Sequence, residues 1–245
     1  MRSVMCVSMH KAGSTITDSI LLDFMNAKGM EIDRISLLAP KSAIPVKDLY
    51  VQYQEKMKLD GVYYGVARGP FVSQMPILKN MKIIMQVRDP RDCITSAYFS
   101  FKTSHVPPKD PAKLQEFMER RKKLEEMDID QYAVAEAGGY KHRLSILKKL
   151  MDGHNDILLL KYEDMVTQTP KWLNQISEFI DQPITDELRT TLGDKVNFSV
   201  PKEDESKHKR QVLPGDHMRK LKPDTIRAMS ERMADELGFF GYAMP

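Results

Sequence analysis

The sequence predicts an α/β fold with a central, mostly parallel sheet of about five strands and helices on both faces. Five short apolar runs have the length and composition of strands, and helical patterns lie between most of them. The first run is apolar on both faces, as central parallel strands are. Strands that alternate with helices favour a parallel sheet, and 245 residues are enough for a single domain over residues 1–245.

The expected elements follow the chain in order. The first strand covers residues 3–9, and an amphipathic helix from Ile16 to Met25 follows it, with Gly29 as its C-cap. The other four strands are Arg34 to Ala39, Gly61 to Ala67, Lys82 to Val87 and Asp156 to Lys161. Further helices are expected within 111–150 and at Pro170 to Ile180, Thr185 to Leu192 and Lys222 to Leu237, with a polar loop at 199–217.

The composition is that of a soluble globular protein, with 42% hydrophobic and 29% charged residues. The net charge of +3 is too small to indicate a nucleic-acid partner. Cys6 and Cys93 lack metal-ligand spacing, so no metal is expected, and a reduced, intracellular setting is the simplest interpretation. No apolar run approaches the roughly 18 residues of a membrane span, and the N-terminus lacks the apolar core of a signal peptide. We therefore expect a cytoplasmic protein.

A small-residue turn, His10 to Thr15, connects the first strand with the first helix. Strand, turn and helix start is the arrangement that presents backbone N–H groups and a helix N-terminus to a phosphate. Lys11 adds a positive charge, and Ser14 and Thr15 add hydroxyl donors. The turn is not a Walker A loop, because the lysine precedes Gly13 instead of closing the pattern. Taken alone, such a turn is more often an ordinary solvated loop.

A second informative segment, from Arg88 to Ser96, follows the fourth strand. Asp89 can cap a helix whose first turn contains Pro90. Ser96 then lies about two turns into that helix. Arg88 and Ser96 can both face the crevice above the strand ends, where open α/β sheets bind ligands. An arginine fork with a hydroxyl suits a phosphate monoester.

In this order, each after a predicted strand, the two phosphate motifs resemble those of the sulfotransferase family, and in particular its soluble cytosolic branch. These enzymes use 3′-phosphoadenosine 5′-phosphosulfate (PAPS) as the donor. The resemblance covers essentially residues 1–242 and implies a P-loop-like, three-layer fold. The positions that resemble donor-binding residues of the family are Lys11, Ala12, Gly13, Ser14, Thr15, Ile16, Arg88, Ser96, Tyr162, Phe198 and Arg210.

The resemblance also implies a reaction and a role for several residues. A sulfotransferase moves a sulfonate group from PAPS to a hydroxyl or an amine by in-line displacement, and no metal is required. Lys11 would be catalytic, because its charge would neutralise the bridging oxygen of the leaving phosphate. Arg88 and Ser96 would bind the 3′-phosphate, and Tyr162 would lie near the adenine. A small molecule, a carbohydrate or a lipid could be the acceptor, and the oligomeric state is left open.

The general base is also left open. The cytosolic branch has a histidine after the third strand, where this chain has Arg68-Gly69-Pro70. His105 is the first candidate, since the family places acceptor-pocket residues after the 3′-phosphate helix. Glu31 and Asp33 are alternatives, because carbohydrate-modifying branches use a glutamate a couple of dozen residues after the phosphate loop. His217 is a further departure, at a position where the family usually has Trp.

Two other functions agree with the same pattern. A P-loop nucleotide kinase or hydrolase would also bind phosphates on a strand–loop–helix unit, although the Walker A pattern and an obvious Mg²⁺-binding aspartate are missing. A catalytically inactive nucleotide-binding protein of the same fold would account for the missing histidine.

Overall fold

The computed structural model describes residues 1–38, 44–108, 111–198 and 212–245. Its contacts divide the chain into two compact units, each formed by two chain segments. The first unit comprises Met1–Arg88 and Ser145–Phe198, and the second comprises Asp89–Leu144 and the described part of the C-terminal segment, 212–245. That residues 1–245 act as a single domain stays a prediction.

The first unit contains a sheet of five parallel strands, which confirms the predicted α/β architecture. The strands are β1 (Val4–Ser8), β2 (Glu31–Ile32), β3 (Val62–Arg68), β4 (Lys82–Val87) and β5 (Ile157–Lys161). Their order is β2-β3-β1-β4-β5, so β1 is central. Every residue of β1 is buried, as its apolar sequence predicts. The loop after β1 therefore lies where the strand order reverses, the position at which open α/β sheets bind ligands.

The second strand differs from its prediction. The expected strand from Arg34 to Ala39 is wrong, because Ile35–Leu37 form a 3₁₀ turn and Ala39 lies outside the described residues. The paired strand is instead the two residues Glu31–Ile32, which follow the first helix almost directly. Of the apolar side chains at 35, 37 and 38, only Ile35 is buried. The run therefore lacks the alternate burial of a half-exposed edge strand.

The α-helices of the described residues are α1 (Ser14–Ala27), α2 (Val46–Tyr53), α3 (Pro90–Phe99), α4 (Pro111–Glu126), α5 (Ile129–Asp152), α6 (Tyr162–Thr167), α7 (Thr169–Ile180), α8 (Asp186–Leu192), α9 (Asp216–Lys220), α10 (Pro223–Arg232) and α11 (Ala234–Phe239). In the first unit, α1 packs on β2, β3 and α8, and α7 packs on β5 and α6. Gly29 ends α1 with φ of 71°, as predicted. Trp172 on α7 is fully buried in the core of this unit.

The described part of the second unit is helical. Its α3 begins as predicted, since the Asp89 carboxylate accepts a hydrogen bond from the Arg91 N–H at 2.9 Å and Pro90 lies in the first turn. A π-helical turn, Ser100–Ser104, follows α3. The predicted helix from Lys222 to Leu237 is wrong in one respect, because Met233, with φ of −111° and ψ of 18°, separates it into α10 and α11.

The predicted polar loop at 199–217 lies mostly outside the described residues, and its last two residues belong to α9. Arg210, a predicted donor-binding residue, is among those outside. No helix in the described ranges is long and apolar enough to cross a membrane.

Candidate active site

The turn after β1 has the backbone geometry of an anion-binding loop. Lys11 and Gly13 have left-handed φ values of 68° and 75°. The first backbone bond of α1 runs from the Thr17 N–H to the Gly13 carbonyl at 3.1 Å. The N–H groups of residues 14–16 therefore have no intrahelical acceptor, and no described side chain caps them. Together with the N-terminus of α1, they favour an anion in front of the loop.

Arg88 and Tyr162 reach this loop from two other chain segments. Arg88 follows β4, and its Nη1 donates to the Lys11 carbonyl at 3.2 Å. Its guanidinium lies over the Tyr162 ring, with Cζ 4.2 Å from the ring centroid. Tyr162 also packs directly against the loop, since a Cβ built on Gly13 would lie 2.7 Å from Tyr162 Cδ2. Three segments that the sequence identified separately therefore lie together in the first unit.

Two buried polar residues support the loop from the sheet. Ser8, at the end of β1, donates through Oγ to the Gln86 carbonyl at 2.9 Å. Gln86, on β4, donates through Nε2 to the Ala12 carbonyl at 3.5 Å. Sequence reasoning missed both residues. The available signal was a polar side chain near the carboxyl end of an otherwise apolar central strand.

The last residue of β3, Arg68, contacts the hydroxyl groups of the loop. Its Nε donates to Ser14 Oγ at 2.5 Å, and its Nη2 lies 3.5 Å from Thr15 Oγ1. Arg68 is paired with Ser8, so it lies at the same edge of the sheet as the loop. The sequence identified Arg68 only as a residue that replaces a histidine. Its contact with the loop depends on the β1–β3 register.

One turn after Ser14 on α1, Asp18 is a buried carboxylate with strong partners. It accepts hydrogen bonds from the Tyr63 hydroxyl at 2.8 Å and from Arg34 Nη2 at 2.6 Å. Burial raises the pKa of Tyr63 well above its ordinary value, so this phenol remains a donor. Burial also raises the pKa of the Cys6 thiol. Tyr63 and Cys6 are therefore protonated at neutral pH and do not qualify as bases.

The acidic candidates for the general base lie away from the loop or are already engaged. Glu31 pairs with Val62, at the start of β3, whereas Arg68 at its end contacts the loop. Val62 and Arg68 are six residues apart along β3, which corresponds to about 20 Å, so Glu31 lies about that far from the loop. Asp33 accepts a hydrogen bond from the Tyr53 hydroxyl at 2.7 Å. The register thus argues against Glu31 as the base.

His105 lies in the second unit, directly after the π-helical turn. Its ring is exposed and packs between two aromatic side chains, with centroid distances of 5.1 Å to Phe101 and 5.9 Å to Phe117. Its carbonyl accepts a hydrogen bond from Arg121 Nη2 at 2.9 Å. These contacts give His105 a packing role, and its assignment as the base stays a prediction.

The family of sulfotransferase domains matches residues 2–225 of this chain. The chain belongs to the sulfotransferase domain family. A curated relative, Sulfotransferase 6B1 from Danio rerio, is 26% identical over 129 residues. The alignment covers 53% of this chain and 40% of that sulfotransferase, so the chain spans about two fifths of its length.

Solved structures of two sulfotransferases and of a retinol dehydratase share the fold. The mouse sulfotransferase SULT7A1 complexed with PAP has a TM-score of 0.63 at 16% identity, over 96% of this chain and 84% of the mouse protein. The sulfotransferase domain from the Curacin biosynthetic pathway has a TM-score of 0.53 at 14% identity, over 100% and 99% of the two chains. A retinol dehydratase in complex with retinol and PAP has a TM-score of 0.55 at 17% identity, over 100% and 84%. These similarities confirm the predicted P-loop-like α/β fold.

The remaining sulfotransferase motif positions fall in different parts of the chain. Ile16 and Phe198 are partly buried and pack against the first-unit core cluster that also contains Tyr162. Ser96 lies on α3 in the second unit, about two turns after Asp89, and is partly exposed. Within the described residues, no group of His, Cys, Asp or Glu side chains could hold a metal ion.

The departure at His217 has a structural explanation within the second unit. Asp92, on α3, is fully buried and accepts hydrogen bonds from the Gly215 N–H at 2.8 Å and the His217 N–H at 2.9 Å. The His217 Nδ1 donates to the same carboxylate at 2.6 Å. In place of the tryptophan usual in sulfotransferases, the histidine therefore anchors the turn before α9 to α3.

Proposed function

We propose that this chain transfers a sulfonate group from PAPS to a hydroxyl or amine of an acceptor. The observation that carries the proposal is that Arg88 and Tyr162 both contact the loop that contains Lys11 and Gly13, within the first unit. The family membership supports the same reaction. The bound PAP named for the mouse sulfotransferase and the retinol dehydratase supports a 3′,5′-bisphosphorylated adenosine as the nucleotide.

The residues present fit an anionic donor. The unsatisfied N–H groups of residues 14–16 can hold the 5′-phosphate. Tyr162 packs so closely against Gly13 that a side chain at this position would not fit. Lys11 can neutralise the charge that develops on the bridging oxygen as the sulfur–oxygen bond breaks. Tyr162 and Arg88 form a stacked pair beside the loop, suited to an adenine and a phosphate respectively.

The sequence assigns the rest of the nucleotide site. Arg88 would bind the 3′-phosphate together with Ser96, which follows it by eight residues as in other sulfotransferases. Ile16, Phe198 and Arg210 would border the nucleotide. The donor chemistry requires no metal, and the acceptor is a small molecule, a carbohydrate or a lipid. Cytoplasmic location and the absence of a nucleic-acid partner stay predictions.

Labelled sulfonate transfer tests this function directly. The chain is incubated with PAPS labelled in the sulfonate and with a panel of phenols, alkyl alcohols, amines, glycans and hydroxylated lipids. We expect label in at least one acceptor class and release of the bisphosphate product in equal amount. Tight nucleotide binding without label in any acceptor would instead favour the inactive nucleotide-binding protein.

A further inference from the structure

Arg68 has only neutral partners among the described residues. Its two side-chain hydrogen bonds go to the hydroxyl groups of Ser14 and Thr15, and no described carboxylate forms an ion pair with it. Two other arginines near the ends of strands differ, since Arg34 pairs with Asp18 at 2.6 Å and Arg91 with Asp89 at 2.7 Å. A guanidinium carries five N–H donors, so most of the fork of Arg68 is available to a further acceptor.

The position of this charge is unfavourable without an anion. The N-terminus of α1 carries the positive end of the helix dipole, and Ser14 is the first residue of that helix. The Arg68 guanidinium lies directly beside it, and Lys11 belongs to the same loop. Like charges in such proximity repel one another. A ligand with negative charge at this point would turn the repulsion into attraction.

The strand order separates Arg68 from Arg88. Because β1 lies between β3 and β4, the loop after β1 has Arg68 on one side and Arg88 on the other. The proposed donor carries a 3′-phosphate at one end and a phosphosulfate at the other. If Arg88 binds the 3′-phosphate of the donor, the opposite end of the donor passes the loop on the β3 side. That end is the sulfonate, so it would lie next to Arg68.

We propose that Arg68 binds the sulfonate oxygens of the donor and stabilises their charge during transfer. This inference rests on the proposed function. In the reaction the bond from sulfur to the bridging oxygen breaks, and its electron pair stays on the leaving phosphate. A bond from the acceptor oxygen or nitrogen to sulfur forms, and the acceptor proton goes to a base or to water. The sulfonate remains anionic throughout, so a planar arginine fork can contact it before and during transfer.

Arg68 does not take the acceptor proton. A guanidinium has five N–H donors and no acceptor for a proton. The residue that replaces the histidine of the cytosolic branch would therefore act by electrostatics, and the acceptor proton would go to another base or to water.

Comparison of two nucleotides in the full chain tests the inference. PAPS carries the sulfonate and the bisphosphate product PAP lacks it, so their dissociation constants are measured by calorimetry for wild type and Arg68→Met, in EDTA and without acceptor. We expect Arg68→Met to weaken PAPS binding by roughly tenfold or more and PAP binding by less than about twofold, because a charge-assisted hydrogen bond is lost only with PAPS. Arg68→Lys should restore part of the PAPS affinity. Arg189→Met, which removes an exposed arginine from α8, should change neither constant.

The alternative outcomes are distinct. Equal loss of PAPS and PAP affinity would place Arg68 on the phosphate or in the loop fold and would overturn the inference. Unchanged affinity for both would also overturn it. If wild-type protein bound neither nucleotide, the proposed function itself would fail. Retained PAP binding by Arg68→Met shows at the same time that the variant is folded.

Discussion

At the scale of single residues, Lys11 holds a conformation that residues with a Cβ rarely adopt. Its φ of 68° lies in the left-handed region, which costs of order 1 kcal/mol for a residue other than glycine. A glycine would remove that cost. The strain supports the proposed catalytic role of Lys11, which the following variants test.

We expect Lys11→Gly to separate stability from activity. The thermal unfolding midpoint should stay equal or rise, since the strain is relieved. The rate of sulfonate transfer at saturating PAPS should fall roughly tenfold or more, because the charge on the leaving oxygen is no longer neutralised. Lys11→Asn, which tolerates the left-handed region without a charge, should lose the same activity. A near-normal rate in either variant would remove Lys11 from the mechanism.

Gly13 offers a matched comparison with Gly29. Both are left-handed, with φ of 75° and 71°, but a Cβ at Gly13 would meet Tyr162 at 2.7 Å and one at Gly29 would meet nothing within 4 Å. Gly13→Ala and Gly29→Ala should each destabilise the fold by about 1 kcal/mol or more. Only Gly13→Ala should weaken PAP binding, measured by calorimetry, because it displaces Tyr162. Equal PAP affinity in the two variants would argue against Tyr162 as part of the nucleotide site.

The residues of the loop could be predicted from sequence, and their supports could not. Lys11, Gly13 and Arg88 lie in segments whose residue types and order carry the phosphate-binding pattern. Arg68 and Gln86 reach the loop because β3 and β4 flank β1, and a string of residues does not state which strands are neighbours. The contacts of Arg68 and Gln86 with the loop were therefore found only from the strand pairing.

At the scale of elements, Arg91 fixes the start of α3 within the second unit. Its guanidinium donates to both Asp89 oxygens at 3.0 and 2.7 Å, to Ser230 Oγ at 2.9 Å and to the Ala243 carbonyl at 2.9 Å. Arg91 and Asp89 are both buried. One side chain therefore connects the cap of α3 with α10 and with the chain after α11.

We expect Arg91→Met to reduce the free energy of unfolding by about 3–5 kcal/mol, because a buried carboxylate loses its counter-charge. Arg227→Met removes an exposed arginine that pairs with Asp224, and it should cost less than about 1 kcal/mol. Urea unfolding of both variants measures the difference. Similar small losses would show that the Arg91 network does not stabilise this unit.

Asp130 gives the start of α10 a pH-dependent contact. Burial alone would raise the pKa of Asp130, but the Lys222 N–H, at 2.9 Å, and the Thr225 hydroxyl outweigh it and lower the pKa. A lowered folded-state pKa stabilises the fold above the unfolded pKa of about 3.9, and this contribution disappears as the pH falls through the folded value. Wild type should therefore exceed Asp130→Asn in unfolding free energy by more at pH 7 than at pH 3. A difference that does not change with pH would contradict this assignment.

Strong sequence patterns predicted the elements well, and weak ones did not. The interior strands β1, β3 and β4 are apolar runs, which burial on both faces requires. The edge strand β5 is also a continuous apolar run, although only Leu160 in it is buried. The edge strand β2 has only two residues, which is too short for an alternation of apolar and polar residues to be detected in the sequence. The amphipathic pattern from Lys222 to Leu237 is continuous, so it gave no sign that the helix is interrupted at Met233.

At the scale of the whole molecule, the sulfotransferase family followed from two phosphate motifs in order, and the match to the family over residues 2–225 confirms it. The general base did not follow, because it depends on which side chain faces the acceptor, and the sequence fixes no acceptor. The register argues against Glu31, and Arg68, at the end of β3, lies where the cytosolic branch has a histidine. In the proposed site, Arg68 and Arg88 contact the loop that contains Lys11, so these three side chains would supply electrostatic stabilisation of the transferred group.

Binding of PAP in EDTA, compared with binding of Mg-ATP, tests the central claim most directly. Wild-type chain should bind PAP without a metal and prefer it to Mg-ATP. Arg88→Met should weaken PAP binding by roughly tenfold or more, through the lost arginine–phosphate contact, while Arg189→Met should not. Preference for Mg-ATP, or PAP affinity unchanged by Arg88→Met, would contradict a donor site built on this loop.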